Sequence, residues 1–428
     1  MNIKSILLGS AAALVAVTGA RAADAVVMVE PEPVEYVRVC DVYGTGFFYI
    51  PGTETCLKIS GYVRMRLEAA DEQFNTDPDD GGDDDYNFKT RTRARIDFDA
   101  REETELGTLR AKIRVQATNN SLSGDGTGNT GDGEFTAPEA YIQLGGLTIG
   151  YLDSTWSHND GGIEDGLLTD STFSPGDFTA NRISYTYAAN GFSGTLAVED
   201  DGDGDFTPDV IAKLAYTGGF GGAYIMGVFD EDSRDVSGSR EFTDGNGVTG
   251  INGFFTDELD VLTTDSESDE TAFALMGGIL LENLIAEDSA LKINGTYAFD
   301  PTIYTAVFDV FGYLGGNTFD GDLNSGFISS EFQIDASYSQ SFGDLSVGLG
   351  GFYGETFDVV ADVNPFGALA DIEEVGSFEY YGGVVNVGYD ITSNFSVLGE
   401  VTYRDVDAPS GFDDFEQVGG FLEFKRSF

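Results

Sequence analysis

The stretch "RTRARIDFDA", residues 91–100, decides the fold. Arg91, Arg93, Arg95, Asp97 and Asp99 occupy alternate positions, and Thr92, Ala94, Ile96, Phe98 and Ala100 fill the gaps between them. Successive side chains of a β-strand point to opposite sides, so this segment has one charged and one apolar face. Its neighbours follow the same rule. In "YVRMRLEAA" (62–70), Tyr62, Arg64, Arg66 and Glu68 oppose Val63, Met65, Leu67 and Ala69. In "RAKIRVQA" (110–117), Arg110, Lys112, Arg114 and Gln116 oppose Ala111, Ile113, Val115 and Ala117.

Period-two alternation continues to the C-terminus. It predicts sixteen strands, at roughly 57–69, 88–101, 108–119, 135–145, 147–153, 181–189, 192–200, 208–217, 222–230, 270–282, 290–299, 328–340, 345–355, 376–389, 395–405 and 414–428. Asn190-Gly191 between two alternating runs is a strong hairpin signal. Connections alternate between short turns, such as Gly145-Gly146, and long Gly/Asp-rich segments, such as 154–180 and 231–269. This pattern predicts an all-β fold, a 16-stranded antiparallel transmembrane β-barrel with short periplasmic turns and long extracellular loops. An even strand number lets the two ends of the sheet pair, which removes the free edges that lipid cannot satisfy. A soluble sandwich also alternates, but it needs fewer strands and no alternation of loop length. The last strand ends in Phe428, with Phe424 and Leu422 on the same face.

Lys4, the apolar run Ile6–Val17 and Ala20-Arg21-Ala22 read as a signal peptide over 1–22, with 23–56 an N-terminal segment and 57–428 the barrel. Removing Lys4 and Arg21 leaves 20 basic residues against 74 acidic ones. Such an acidic chain repels nucleic acid, and no nucleic-acid partner is expected. Cys40 and Cys56 form one even pair in an exported chain, which predicts a disulfide.

No catalytic constellation is present in the sequence, and the expectation is a protein that is not an enzyme. The chain has one histidine, His158, and two cysteines, so the usual nucleophile–base pairs lack their parts. "DGDGDF" (201–206) spaces Asp201, Asp203 and Asp205 like the start of a calcium loop, but the twelfth position is Ala212 and not Glu. No cofactor is expected beyond a weak loop-bound Ca2+ at those aspartates. Trp156 and His158 read as loop packing.

The segment "EPVEYVRVCDVYGTGFFYIPGTETCLKISGYVRM" (32–65) and the ending "GGFLEFKRSF" (419–428) resemble the alphaproteobacterial porin family. The resemblance implies a bacterial outer-membrane porin, a homotrimer among lipid and lipopolysaccharide, and passive diffusion of small hydrophilic solutes and ions. It also implies that the third long loop, 154–180, folds into the barrel as a constriction. Two other readings stay open: a substrate-specific outer-membrane channel, and a secreted or surface-bound acidic β protein that binds calcium.

In a barrel the apolar faces meet lipid and the polar faces line the lumen, where an arginine avoids the roughly 2–4 kcal/mol penalty of mid-depth lipid. Arg64, Arg66, Arg91, Arg93, Arg95, Arg110, Lys112 and Arg114 should therefore form a basic wall on three consecutive strands. Opposite it, the inward loop would present Asp160, Glu164, Asp165, Asp170 and Asp177. Separated charges of opposite sign would set a transverse field that favours polar solutes. Two plainer alternatives compete with this. Glu68, Asp97 and Asp99 share the basic faces and could neutralise them, and the acidic loop could lie outside as a solvated surface.

Overall fold

The computed structural model describes residues 38–71, 86–120, 132–156, 162–171, 173–200, 206–231, 242–243, 249–250, 261–262, 271–307, 329–362, 372–409 and 414–428. The expected signal segment therefore lies outside the described residues, as do His158, Asp160 and the aspartates 201, 203 and 205.

Sixteen long strands build the wall: Cys56–Asp71 (β1), Tyr86–Thr104 (β2), Gly107–Asn120 (β3), Asp132–Leu144 (β4), Leu147–Asp153 (β5), Thr179–Ala189 (β6), Phe192–Asp200 (β7) and Asp209–Gly218 (β8). They continue with Gly221–Asp230 (β9), Ala272–Glu282 (β10), Ser289–Ala298 (β11), Ser330–Phe342 (β12), Leu345–Thr356 (β13), Glu379–Thr392 (β14), Phe395–Asp407 (β15) and Phe415–Ser427 (β16). Each strand pairs antiparallel with the next, and β16 returns to β1 with Tyr62 opposite Ser427 and Ala70 opposite Gly419. Closure reaches the last residue, because Gly61 and Phe428 exchange backbone hydrogen bonds of 3.1 and 3.0 Å. The barrel has no open edge along this seam, which lets its backbone be satisfied within lipid.

The burial pattern separates a membrane barrel from a water-soluble fold. Large apolar side chains are on the outside: Val63 is 50% exposed, Ile113 47%, Leu214 65% and Val385 59%. Charged side chains are inside, with Glu139 at 7%, Lys292 at 3% and Glu423 at 4%. In water this arrangement would be inverted, whereas in lipid it follows from the solvent on each side.

Local chemistry fixes the turns and one irregularity. Asn190 (φ 54°) and Gly191 (φ 83°) both take the positive φ that a two-residue type I′ hairpin requires. Between β3 and β4 the register shifts from Arg114–Glu139 to Gln116–Thr136, which places Pro138, a residue with no N–H to give the ladder, at a bulge.

The N-terminal segment sits at the short-turn end. Phe48–Tyr49 pairs with Leu57 and Cys56, and Cys40 is joined to Cys56 by a disulfide. The buried Cys40, Phe47 and Cys56 form a small apolar cluster with Tyr43 and Tyr49 against it.

Among the described residues, an apolar core lies inside the barrel. Ile211, Tyr224, Met226, Val228, Ala274 and Met276 project from β8–β10 and meet Trp156, Ile303 and Tyr304 from the loops. These strands are largely apolar on both faces, with Asp209, Lys213 and Asp230 as charged inward exceptions, a departure from the strict alternation of β1–β3. Their inner faces provide a seat for the segment that follows β5.

Candidate functional site: the lumen between a basic wall and an inserted segment

The eight cations expected on one wall all lie on inward faces of β1, β2 and β3. The register sets Arg66 opposite Arg91, Arg64 opposite Arg93 and Tyr62 opposite Arg95. Across the next seam Arg95 faces Gln116, Asp97 faces Arg114 and Asp99 faces Lys112.

Part of this wall is paired with acid. Asp99 accepts two bonds from Arg101 (2.9 and 2.7 Å) and two from Arg110 (3.0 and 2.8 Å). Arg114 donates to Asp97 at 2.8 Å and also pairs with Glu139, which Lys112 meets at 2.5 Å. Arg91 bonds Glu68 at 2.7 Å. Arg66 bonds Glu423 at 2.5 Å and Asp170 at 2.7 Å. Arg93 and Arg95 instead donate to neutral groups, Thr118 Oγ1 at 3.0 Å and Gln116 Oε1 at 3.0 and 3.2 Å. Neutralisation is therefore strong toward the short-turn end of β2–β3 and weak at Arg93 and Arg95.

The segment after β5 enters the lumen and is fastened at several points along its length. At its root, Glu199 of β7 accepts from Ser154 Oγ (2.5 Å) and the Thr155 amide (2.7 Å). In the middle, Glu164 is buried and pairs with Lys213 of β8. Beyond it, the Leu168 amide donates to Ser337 of β12 at 2.9 Å. Glu400 of β15 then accepts from the Asp170 and Ser171 amides, both at 2.9 Å. Further on, Gln333 Nε2 donates to the Phe173 carbonyl at 2.8 Å, and the Phe173 ring stacks on Phe352 with centroids 4.7 Å apart.

Gly176 lets the segment turn back toward β6. Its φ is +74°, and a Cβ there would lie 2.1 Å from the Tyr304 carbonyl oxygen. Its amide donates to the Ala306 carbonyl at 2.9 Å, which ties the segment to the loop that carries Tyr304. Tyr304 packs edge-on to Trp156 and Phe178, with centroids at 5.9 and 5.1 Å, and its hydroxyl donates to Asp209 at 2.8 Å. Burial, reinforced by the Glu199, Asp209 and Asp230 carboxylates, holds that hydroxyl protonated well above the ordinary tyrosine value.

The acidic residues expected on this segment divide. Asp170 reaches the basic wall directly, at Arg66. Glu164 turns the other way and secures the segment to β8, so it does not face the wall as expected. Asp165 accepts from the Gly162 amide at 3.2 Å, closing a local turn, and Asp177 lies half-buried between Gly176 and Phe178. Asp160 lies outside the described residues.

Sequence reasoning did not single out Lys213, Glu199 or Glu400. In "VIAKLAY", "TLAVED" and "VLGEVTY" these residues look like any lumen-facing side chain. One signal was available: the nearly continuous apolar runs "AYIMGVF" and "TAFALMGG" mark inner faces that need a cover. Among the described residues, no group of three or more His, Cys, Asp or Glu is arranged to hold a metal.

A closed sheet with an apolar exterior, a charged interior and a segment narrowing that interior defines a transmembrane β-barrel channel. The comparisons give its family. The model of the porin subfamily matches residues 24–419, and the chain belongs to that family. It is similar to porin Omp2b of Brucella suis biovar 1, with 44% identity over 250 residues that cover 54% of this chain and 67% of that porin. Omp2b of Brucella melitensis is 43% identical over the same coverage. Among solved structures, the outer membrane channel DcaP of Acinetobacter baumannii aligns with a TM-score of 0.55 at 14% identity, over 89% of this chain and 99% of that one. OmpF of Salmonella typhi aligns with a TM-score of 0.52 at 12% identity, over 88% and 98%. This protein is an outer-membrane porin, a channel for passive diffusion.

Proposed function

We propose that solutes pass between the basic wall of β1–β3 and the segment 162–178, and that the pore admits small hydrophilic solutes and ions without a dedicated substrate. One observation carries this reading: Glu400 holds the segment by two backbone amides against β15, while Glu164 holds it to β8. Fastened there, the segment touches the basic wall through Asp170 at Arg66 and leaves Arg93 and Arg95 facing the remaining space. The weakly compensated Arg93 and Arg95 give the passage a positive side. A polar solute aligns its dipole in such a field and exchanges water for charged walls, whereas an apolar solute of equal size only loses water.

The same reading makes the protein a homotrimer embedded in outer-membrane lipid and lipopolysaccharide. OmpT of Vibrio cholerae, a trimer, shares the fold with a TM-score of 0.50.

The test is planar-bilayer recording of the purified protein in a KCl gradient, before and after Arg91, Arg93 and Arg95 are changed together to Ala. Stepwise conductance with a reversal potential shifted toward cation preference is the expected result. Channels whose reversal potential ignores the triple change would remove the field from the mechanism.

A further inference from the structure

One row of the lumen wall gathers positive charge without the acid found elsewhere on it. The β16–β1–β2 register sets Lys425 opposite Arg64 and Arg64 opposite Arg93, three cations side by side on one face. Like charges placed directly opposite each other in an antiparallel pair repel. One row nearer the short turns, Arg95 is opposite Tyr62. The Tyr62 ring gathers these cations around it, with Arg64 at 5.6 Å, Arg95 at 5.1 Å and Lys425 at 5.1 Å from its centroid.

The compensation here is thin. Glu423 reaches Arg64 at 3.2 Å but bonds Arg66 more closely, at 2.5 Å, and Arg66 also takes Asp170. Among the described residues, no carboxylate comes within salt-bridge distance of Arg93, Arg95 or Lys425. Five cations, Arg64, Arg66, Arg93, Arg95 and Lys425, thus share two carboxylates. The chain carries 74 acidic residues against 22 basic ones, so acid is not scarce in it. The Asp97–Arg114–Glu139 and Asp99–Arg110 groups on the same wall are closely matched.

We propose that this row is a binding station for compact oxyanions of the phosphate or small-carboxylate class, entering from the lumen. A guanidinium offers five N–H donors in a planar fork that fits two oxygens of such an anion. Arg93 and Arg95 spend donors on neutral oxygens, which orient the guanidiniums and leave their charge uncompensated. Arg64, Arg93, Arg95 and Lys425 are all half-buried, open to the lumen without lying free in bulk water. An anion seated between Arg93, Arg64 and Lys425 relieves the repulsion of the row. An otherwise strongly acidic porin would then concentrate anions in its passage and conduct them in a saturable way. The inference rests on the reading that the passage runs along this wall.

Inorganic phosphate is the probe. Single-channel chloride current is recorded while phosphate is added at constant ionic strength. Saturable reduction of the current is expected in the unaltered porin. The half-blocking concentration should rise about tenfold or more in Arg93→Gln combined with Lys425→Gln, the factor for loss of one or more charge-assisted contacts. Arg426→Gln is the control: it removes the same charge one residue away, on the exposed outer face, and should leave the block unchanged. Heat-modifiable mobility in detergent gels verifies that each variant is a folded barrel. Block that never saturates, or that is equal in all three proteins, overturns the station while leaving the pore intact. Folded protein that forms no channels overturns the passage itself and the station with it.

Discussion

Glu400 is the residue on which the position of the inserted segment depends most directly. It is 2% exposed, accepts from the amides of Asp170 and Ser171 at 2.9 Å each, and is itself steadied by Asn386 Nδ2 at 3.1 Å. Hydrogen bonds to a charged group contribute about 1.5–3 kcal/mol each. Water in the lumen can rehydrate the freed amides, so the low end applies, and Glu400→Ala should weaken the anchoring by about 3 kcal/mol. That corresponds to roughly a hundredfold change in the ratio of anchored to released segment. The barrel ladder is untouched, so the thermal unfolding temperature in detergent should change little. Single-channel recording at fixed voltage is the assay. The unaltered porin should give quiet steps, and Glu400→Ala should give noisy current with frequent transitions between levels. Glu400→Gln keeps one acceptor oxygen without its charge and should fall between the two. Glu400→Ala channels as quiet as the unaltered protein, at the same conductance, would refute the anchoring role.

Further outcomes follow from other contacts. Gly176→Ala forces a Cβ to 2.1 Å from the Tyr304 carbonyl at a φ of +74°, and should loosen the segment by about 1–3 kcal/mol, read as new protease cleavage within 162–178. Replacing Cys40 and Cys56 with Ser opens a loop closed across a sequence separation of 16, and should cost about 3 kcal/mol in the chain-entropy model, measured as a lower unfolding midpoint in urea. Val385→Arg places a charge on the outer face near the middle of β14 and should cost about 2–4 kcal/mol of folding into lipid vesicles. Tyr304 keeps its proton in the native state above the ordinary value of 10.0. The stability tied to this neutral hydroxyl is therefore full below pH 10 and is lost as pH rises above it, so base-induced unfolding should release a tyrosinate absorbance step that Tyr304→Phe lacks.

The wall of the barrel was legible from sequence because its rule is local. Alternation in "YVRMRLEAA" and "RTRARIDFDA" assigns each side chain to lipid or lumen without knowledge of any other strand, and Asn190-Gly191 declares its own turn. The anchoring of the segment was less legible because it depends on pairs far apart in the chain. Glu164 and Lys213 are 49 residues apart, and Asp170 and Glu400 are 230 apart. Nothing near either residue marks it as a partner. Net charge misled in a similar way. An acidic segment opposite a basic wall suggests simple attraction across a gap, but Glu164 satisfies Lys213 on the far side and Asp170 closes directly onto Arg66. Strands β8–β10 carried a clue in their largely apolar inner faces, since a lumen wall with few polar side chains needs something packed on it.

Cysteine accessibility tests the central claim, that the basic face of β2 lines the conducting passage, most directly. Arg93→Cys and Ile96→Cys are made separately, with the native Cys40–Cys56 disulfide left oxidised, and a charged, membrane-impermeant thiosulfonate is added during single-channel recording. Position 93 faces the lumen and position 96 faces lipid. The expected result is an abrupt change in conductance for Arg93→Cys and none for Ile96→Cys. A response at position 96, or none at 93, would contradict the assignment of the arginine ladder to the passage.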